Sequence, residues 1–95
     1  MSTYTALVDV ADANVQNVQE FASVWGDIRQ DIEGCGGELQ DAYAILGEHD
    51  FLVLFEAEDQ QAALQIALSM ERYGLDTQTM EIIPVERFGE LVEDI

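Results

Sequence analysis

The sequence predicts an α+β fold, with four strands in one antiparallel sheet and two helices on a single face, in one domain covering residues 1–95. Three observations predict it. Apolar segments of strand length, bounded by turn residues, recur at residues 3–10, 38–47, 51–57 and 75–83. Apolar residues at helical spacing fill the interval between the first pair and the interval between the last pair. The middle two segments are separated only by "EHD", so they form a hairpin.

Each element has its own justification. "TYTALVDV" (3–10) carries Leu7, Val8 and Val10 at its apolar end. Asp12 or Asn14 can cap the helix that follows. Its face is Val15, Val18, Phe21, Ala22, Trp25, Ile28 and Ile32, with Trp25 as a core anchor. Gly34, Gly36 and Gly37 end it, because glycine takes the left-handed cap conformation without strain. "ELQDAYAILG" (38–47) and "FLVLFEA" (51–57) are strands joined by a tight turn through residues 47–50. Asp59 caps the second helix, whose face is Ala63, Ile66, Ala67 and Met70, widened by Leu64 and Leu68, and Gly74 stops it. "LDTQTMEII" (75–83) is the fourth strand, and Pro84 opens a short last helix with Phe88, Leu91 and Val92.

This order is the split βαβ, or ferredoxin-like, arrangement βαββαβ. Right-handed crossovers place both helices on one face and leave the other bare. That explains why "FLVLF" does not alternate: both of its sides need cover. With Glu48 and His49 at the turn centre, Leu46 pairs with Phe51, Ala44 with Val53 and Ala42 with Phe55, all under the helices. The bare face then carries Tyr43, Ile45, Leu52 and Leu54, with Asp41 and Glu56 at its far end. By alternation Thr5, Leu7, Thr77 and Thr79 join it. Such a surface is too apolar to leave wet, and a second copy's sheet is the simplest cover. The expected assembly is a homodimer or higher homo-oligomer.

Charge is the strongest compositional signal. Twenty acids face three arginines and no lysine, for a net charge of −17. The acids are dispersed rather than gathered in a tail, the composition expected of a halophilic protein whose self-repulsion is screened by a salty cytoplasm. Nucleic acid is excluded as a partner, since phosphate binding needs a basic footprint. No apolar run approaches the roughly 20 residues that span a bilayer, and "MSTYTALVDV" lacks the basic start of a signal peptide, so a cytoplasmic protein without a membrane partner is expected. The single cysteine, Cys35, sits in "EGCGGE" beside acids that disfavour a thiolate, and reads as a loop residue.

The stretch "GGELQDAYAILGEHDFLVLFEAED", the helix "QQAALQIALSMERYG" and the ending "LDTQTMEIIPVERFGELV" resemble the GYD-domain family. Gly47 and Asp50 match that family's glycine and aspartate, and His49 stands where the family has tyrosine. The resemblance covers nearly the whole chain. It implies a ferredoxin-like fold assembled sheet to sheet as a dimeric α/β barrel, rather than any particular reaction. The glycine–x–x–aspartate turn also resembles the effector-binding domain of leucine-responsive regulators, without their DNA-binding helix-turn-helix.

The chemical candidates are few. In "GEHD", Gly47 permits an unusual backbone angle and Asp50 can accept turn amides, a purely structural role. Alternatively His49, with a reference pKa near about 6.5, is a general base. Glu48, His49 and Asp50 are adjacent and cannot converge on one ion, and no paired ligand spacing occurs, so no metal or cofactor is expected. No phosphate loop, dinucleotide fingerprint or nucleophile elbow is present. The expected function is binding of a small apolar or weakly polar molecule between subunits, lined by Thr5, Tyr43, Ile45, Leu52, Leu54 and Thr77. The alternatives are a cofactor-free oxygenase or isomerase using His49 or Tyr43, and a structural or interaction module with a filled interior.

Overall fold

The computed structural model describes residues 1–10, 18–93 and 95, with the side chains of 18–21 outside that description. Its elements are β1 (Ser2–Val10), α1 (Val18–Gly34), β2 (Glu38–Ala44), β3 (Phe51–Ala57), α2 (Gln60–Glu71), β4 (Leu75–Ile82) and α3 (Val85–Glu93). The strands form one sheet in the order β2-β3-β1-β4, antiparallel throughout, which is the ferredoxin-like arrangement. The cap expected at Asp12 or Asn14, and the packing expected of Val15, Val18 and Phe21, fall outside the described residues.

Helix ends form where the local chemistry requires them. The α1 terminus is a Schellman motif: Gly36 takes φ +83°, its amide donates to the Glu33 carbonyl, and the Gly37 amide reaches back to Ile32. Gly37 has a further reason to be glycine, since a Cβ there would lie 2.7 Å from both the Glu56 carbonyl oxygen and Ile66 Cδ1. Asp59 caps α2 by accepting the Ala62 amide at 2.8 Å. Gly74, at φ +78°, turns the chain into β4. Gly47 is not in the left-handed region, so the turn does not use it for that freedom.

The core lies between the sheet and α1 and α2. Tyr4, Ala6, Val8, Val53, Phe55 and Ala57 meet Ile28 and Ile32 of α1 and Ala63, Ile66 and Met70 of α2, with Leu75 closing one end. Tyr4 stacks on Phe55 at 5.5 Å, and Trp25 meets Phe51 edge-on at 5.2 Å. Trp25 is thus the anchor expected, whereas Ala22, Leu64 and Leu68 are exposed on the outer sides of their helices. The Tyr73 hydroxyl donates to Asp31 Oδ2 at 2.8 Å, tying the end of α2 to α1.

Two expectations about the strands are corrected. The hairpin is shifted by two residues: Ala44 pairs with Phe51, Tyr43 with Leu52 and Ala42 with Val53, while Leu39 takes the place opposite Phe55. The cause is a longer loop, 45–50, closed by the Ile45 amide donating to the Asp50 carbonyl. Leu46 therefore leaves the core and is fully exposed, and Ile45 leaves the strand. A two-residue shift preserves the faces. A bulge between Leu39 and Asp41 then turns Leu39 inward. The second correction concerns β4. Thr77 pairs with Val8 and Thr79 with Ala6, both buried, so these threonines lie on the helix side and not on the bare face. The phase of β4 is set by Leu75, which is buried immediately after Gly74.

Candidate functional site

Alternation in the observed register fixes the composition of the open face. Across β2, β3, β1 and β4, one row is Tyr43, Leu52, Leu7 and Gln78, and the next is Asp41, Leu54, Thr5 and Met80. Beyond the second row lie Glu38, Glu56, Thr3 and Ile82. Beyond the first, Asp9 pairs with Asp76, and Asp50 sits beside them. The middle of the face is nearly uncharged and its two ends are acidic. Tyr43 is 51% exposed and Met80 44%, whereas Leu7, Leu52, Leu54 and Thr5 are half-buried by their neighbours alone.

Of the site residues expected from sequence, Thr5, Tyr43, Leu52 and Leu54 come together on this face. Ile45 borders it from the loop, and Thr77 does not belong to it. Thr5 Oγ1 donates to the Val53 carbonyl at 3.3 Å, which satisfies its hydrogen within the sheet. Met80, Gln78 and Ile82 were missed. The signal available for them was the buried position that Leu75 must take straight after a helix-ending glycine, since strict alternation from Leu75 puts Met80 and Ile82 outward.

The "GEHD" turn is docked against the end of β1. Asp50 continues the ladder twice: its amide donates to the Val8 carbonyl at 3.0 Å, and its Oδ2 accepts the Val10 amide at 2.9 Å. His49 Nδ1 lies 3.0 Å from Asp9 Oδ2, a pairing that holds the imidazole at one corner of the open face. A ring so oriented can accept or return a proton. A pocket of about 170 Å³ lies at the opposite end, among Thr3, Glu81, Ile82 and Arg87, so the imidazole and the cavity do not coincide. Among the described residues, no three histidine, cysteine, aspartate or glutamate side chains could hold a metal ion, and no helix is long and apolar enough to cross a membrane.

Two tyrosines elsewhere titrate above their ordinary value of 10.0. Burial raises Tyr4 first, followed by the negative charge of Glu81. The hydrogen bond to Asp31 raises Tyr73 first, followed by burial.

Comparison with known proteins agrees with this architecture. The 30S ribosomal protein S6 of Thermotoga maritima superposes with a TM-score of 0.63 at 16% identity, covering 97% of each chain. FFRP-DM1 gives 0.60 at 22% identity over 87% of this chain and 100% of its own. The leucine response regulatory protein LrpA of Mycobacterium tuberculosis gives 0.61 at 13% identity over 87% of this chain, which spans only 51% of the regulator. These are likenesses of fold. A nearer relationship in sequence joins the chain to the "glutamine synthetase and cystathionine beta-lyase binding protein" of Thermus thermophilus, 32% identical over 78 residues, or 81% of this chain and 79% of that one. The GYD domain matches residues 4–92, nearly the full span of the sheet and its helices, and the chain belongs to the GYD-domain family.

Proposed function

We propose that this GYD-domain protein is a self-associating binding module that docks onto a metabolic enzyme. The observation that carries the reading is the nearly uncharged middle of the open face, where Tyr43, Leu52, Leu7, Leu54 and Met80 are covered by none of the described helix residues. A surface of this kind marks association. Two copies laid face to face would cover it as a dimeric α/β barrel, with α1 and α2 outermost. Leu64 and Leu68, exposed one turn apart on α2, then point outward toward a third party. The name of the Thermus relative supports an enzyme in that position, with glutamine synthetase the first choice.

The test is sedimentation of the purified protein with glutamine synthetase from the same organism, in molar KCl. Co-sedimentation at micromolar concentration, lost in Leu64→Glu/Leu68→Glu, is the expected result. A dimer that leaves the enzyme's sedimentation unchanged would overturn the enzyme partner.

One observation favours a second reading, a weakly polar small molecule held between the sheets. The phenol of Tyr43 lies among leucines, as an orienting hydroxyl in an apolar site would. In a cofactor-free oxygenase or isomerase of this kind, the Asp9-held imidazole of His49 would move the proton. An enclosed cavity in a crystal structure of the assembled protein would favour this reading, and a filled interior would remove it.

A further inference from the structure

We propose that α3 is a clasp between copies: in a pair joined through their open sheets, the apolar side of each α3 packs on the other copy. This rests on the face-to-face pairing proposed above and adds to it a second contact, made by a different element.

The first argument is that, among the described residues, no other helix or strand packs extensively against α3. Phe88 is 61% exposed, Leu91 45% and Val92 49%, and none of its residues is buried. On a helical wheel Val85, Phe88, Leu91 and Val92 share one side, with Glu86, Glu90 and Glu93 opposite. A short helix with its apolar side in water gains little from its own hydrogen bonds and depends on packing for stability.

Geometry supplies the second argument. Only Ile83 and Pro84 separate β4 from α3, and the residue before a proline is held extended. Among the described residues the helix is not laid over its own sheet or against α1 or α2. The longest dimension of the molecule is 50 Å and its radius of gyration is 14.6 Å. A compact chain of this length would have a radius near about 12.4 Å.

Area and charge identify the occupant. Four strands spaced at about 4.8 Å, with two rows about 6.8 Å apart in which Asp41 is the only charge, give a flat footprint of roughly 260 Å². Stable interfaces bury about 800 Å² per partner. A nine-residue helix adds a footprint of about 135 Å², about half again of what the sheet offers. The same addition removes the second uncovered apolar surface of each chain. Arg87, one of three arginines in the whole sequence, borders the apolar side of α3 next to Leu91. A second copy offers the acids that ring its open face, Asp9, Asp76, Glu38 and Glu56, as partners for that charge.

The experiment places the photo-reactive analogue benzoylphenylalanine at position 88 in an isotope-labelled chain. That chain is mixed with unlabelled copies in molar KCl, irradiated, and its cross-linked peptides are sequenced. Links joining position 88 to a residue of the other copy are expected. In a parallel sedimentation series, Phe88→Glu should raise the dimer dissociation constant about tenfold or more, because a carboxylate would be buried unpaired. Links only within one chain, or an unchanged constant for Phe88→Glu, would overturn the clasp while leaving the pairing intact. Links to a second protein, formed only when glutamine synthetase is added, would overturn it equally. A wild-type chain that sediments as a monomer, with Leu52→Glu identical to it, would overturn the pairing itself.

Discussion

On its helix side the sheet buries Ala6, Val8, Val53, Phe55 and Ala57 completely, while Leu7, Leu52 and Leu54, their neighbours in the chain, remain half-exposed on the other side. The strands are the same and both sets of side chains are apolar. Only the layer above them differs. Burying a leucine or valine is worth about 1.5–3 kcal/mol on either face, so the open side holds a reserve of free energy that the isolated chain does not collect. Folding draws on the first face, and association can draw on the second.

Substitutions can separate the two. The largest effect is expected at Phe55, where Phe55→Ala should cost about 3–5 kcal/mol by urea unfolding, since the ring is fully buried and stacked on Tyr4. A loss under about 1 kcal/mol would mean that the helix-covered face is not where stability resides. Leu52→Glu, one residue from the buried Val53, should leave the chain folded but dissociate the oligomer in light scattering. Unchanged scattering would erase the distinction between the faces. Potassium chloride should raise the melting temperature of both proteins up to molar concentrations, because it screens a net charge of −17, but should restore association only to the wild type. A flat melting temperature would exclude the halophilic reading.

Smaller effects sharpen the boundary between the faces. Asp50→Ala removes the acceptor for the Val10 amide and should cost about 0.5–1.5 kcal/mol, while His49→Asn should change stability by less than about 0.5 kcal/mol. A larger loss at His49 would show that its pairing with Asp9 fastens the turn. On the helix side, the raised titration of Tyr73 stabilises the folded chain at every pH below 10.0 and is lost as pH climbs through the folded value. Thermal melts should therefore fall above pH 10, less steeply in Tyr73→Phe.

How much of this was legible in the sequence depended on the position of each strand in the sheet. β1 and β3 are central, and their alternation alone placed Thr5, Leu7, Leu52 and Leu54 correctly. β2 and β4 are edges, each held by one neighbour, and there the reading slipped. Nothing in "ELQDAYA" announces the irregularity at Gln40, and hydroxyl side chains suit either face, so Thr77 and Thr79 were placed on the wrong one. Asp9 was not recognised as the partner of His49 because the two are 40 residues apart, and only the antiparallel ladder brings them together. Asp59, Gly36 and Gly74 act locally, through hydrogen bonds and dihedral angles that a few neighbouring residues specify, and each was found in its expected role.

The bulge in β2 has a consequence for how mutations will be tolerated there. From Asp41 onward the odd positions lie on the open face and the even positions on the helix side, where Ala42 and Ala44, expected under the helices, are left exposed at the sheet edge. Before Gln40 the parity is reversed, with Leu39 packed against the core and Glu38 outside. The strand is a frame-shifted message, and Gln40 is the inserted letter. Straightening the strand with Gln40 kept would carry Glu38 under the helices and Leu39 into the open, whereas deleting Gln40 would remove the bulge and leave both on their present faces. A residue that touches little in the fold thus governs the frame in which its whole strand is translated into inside and outside.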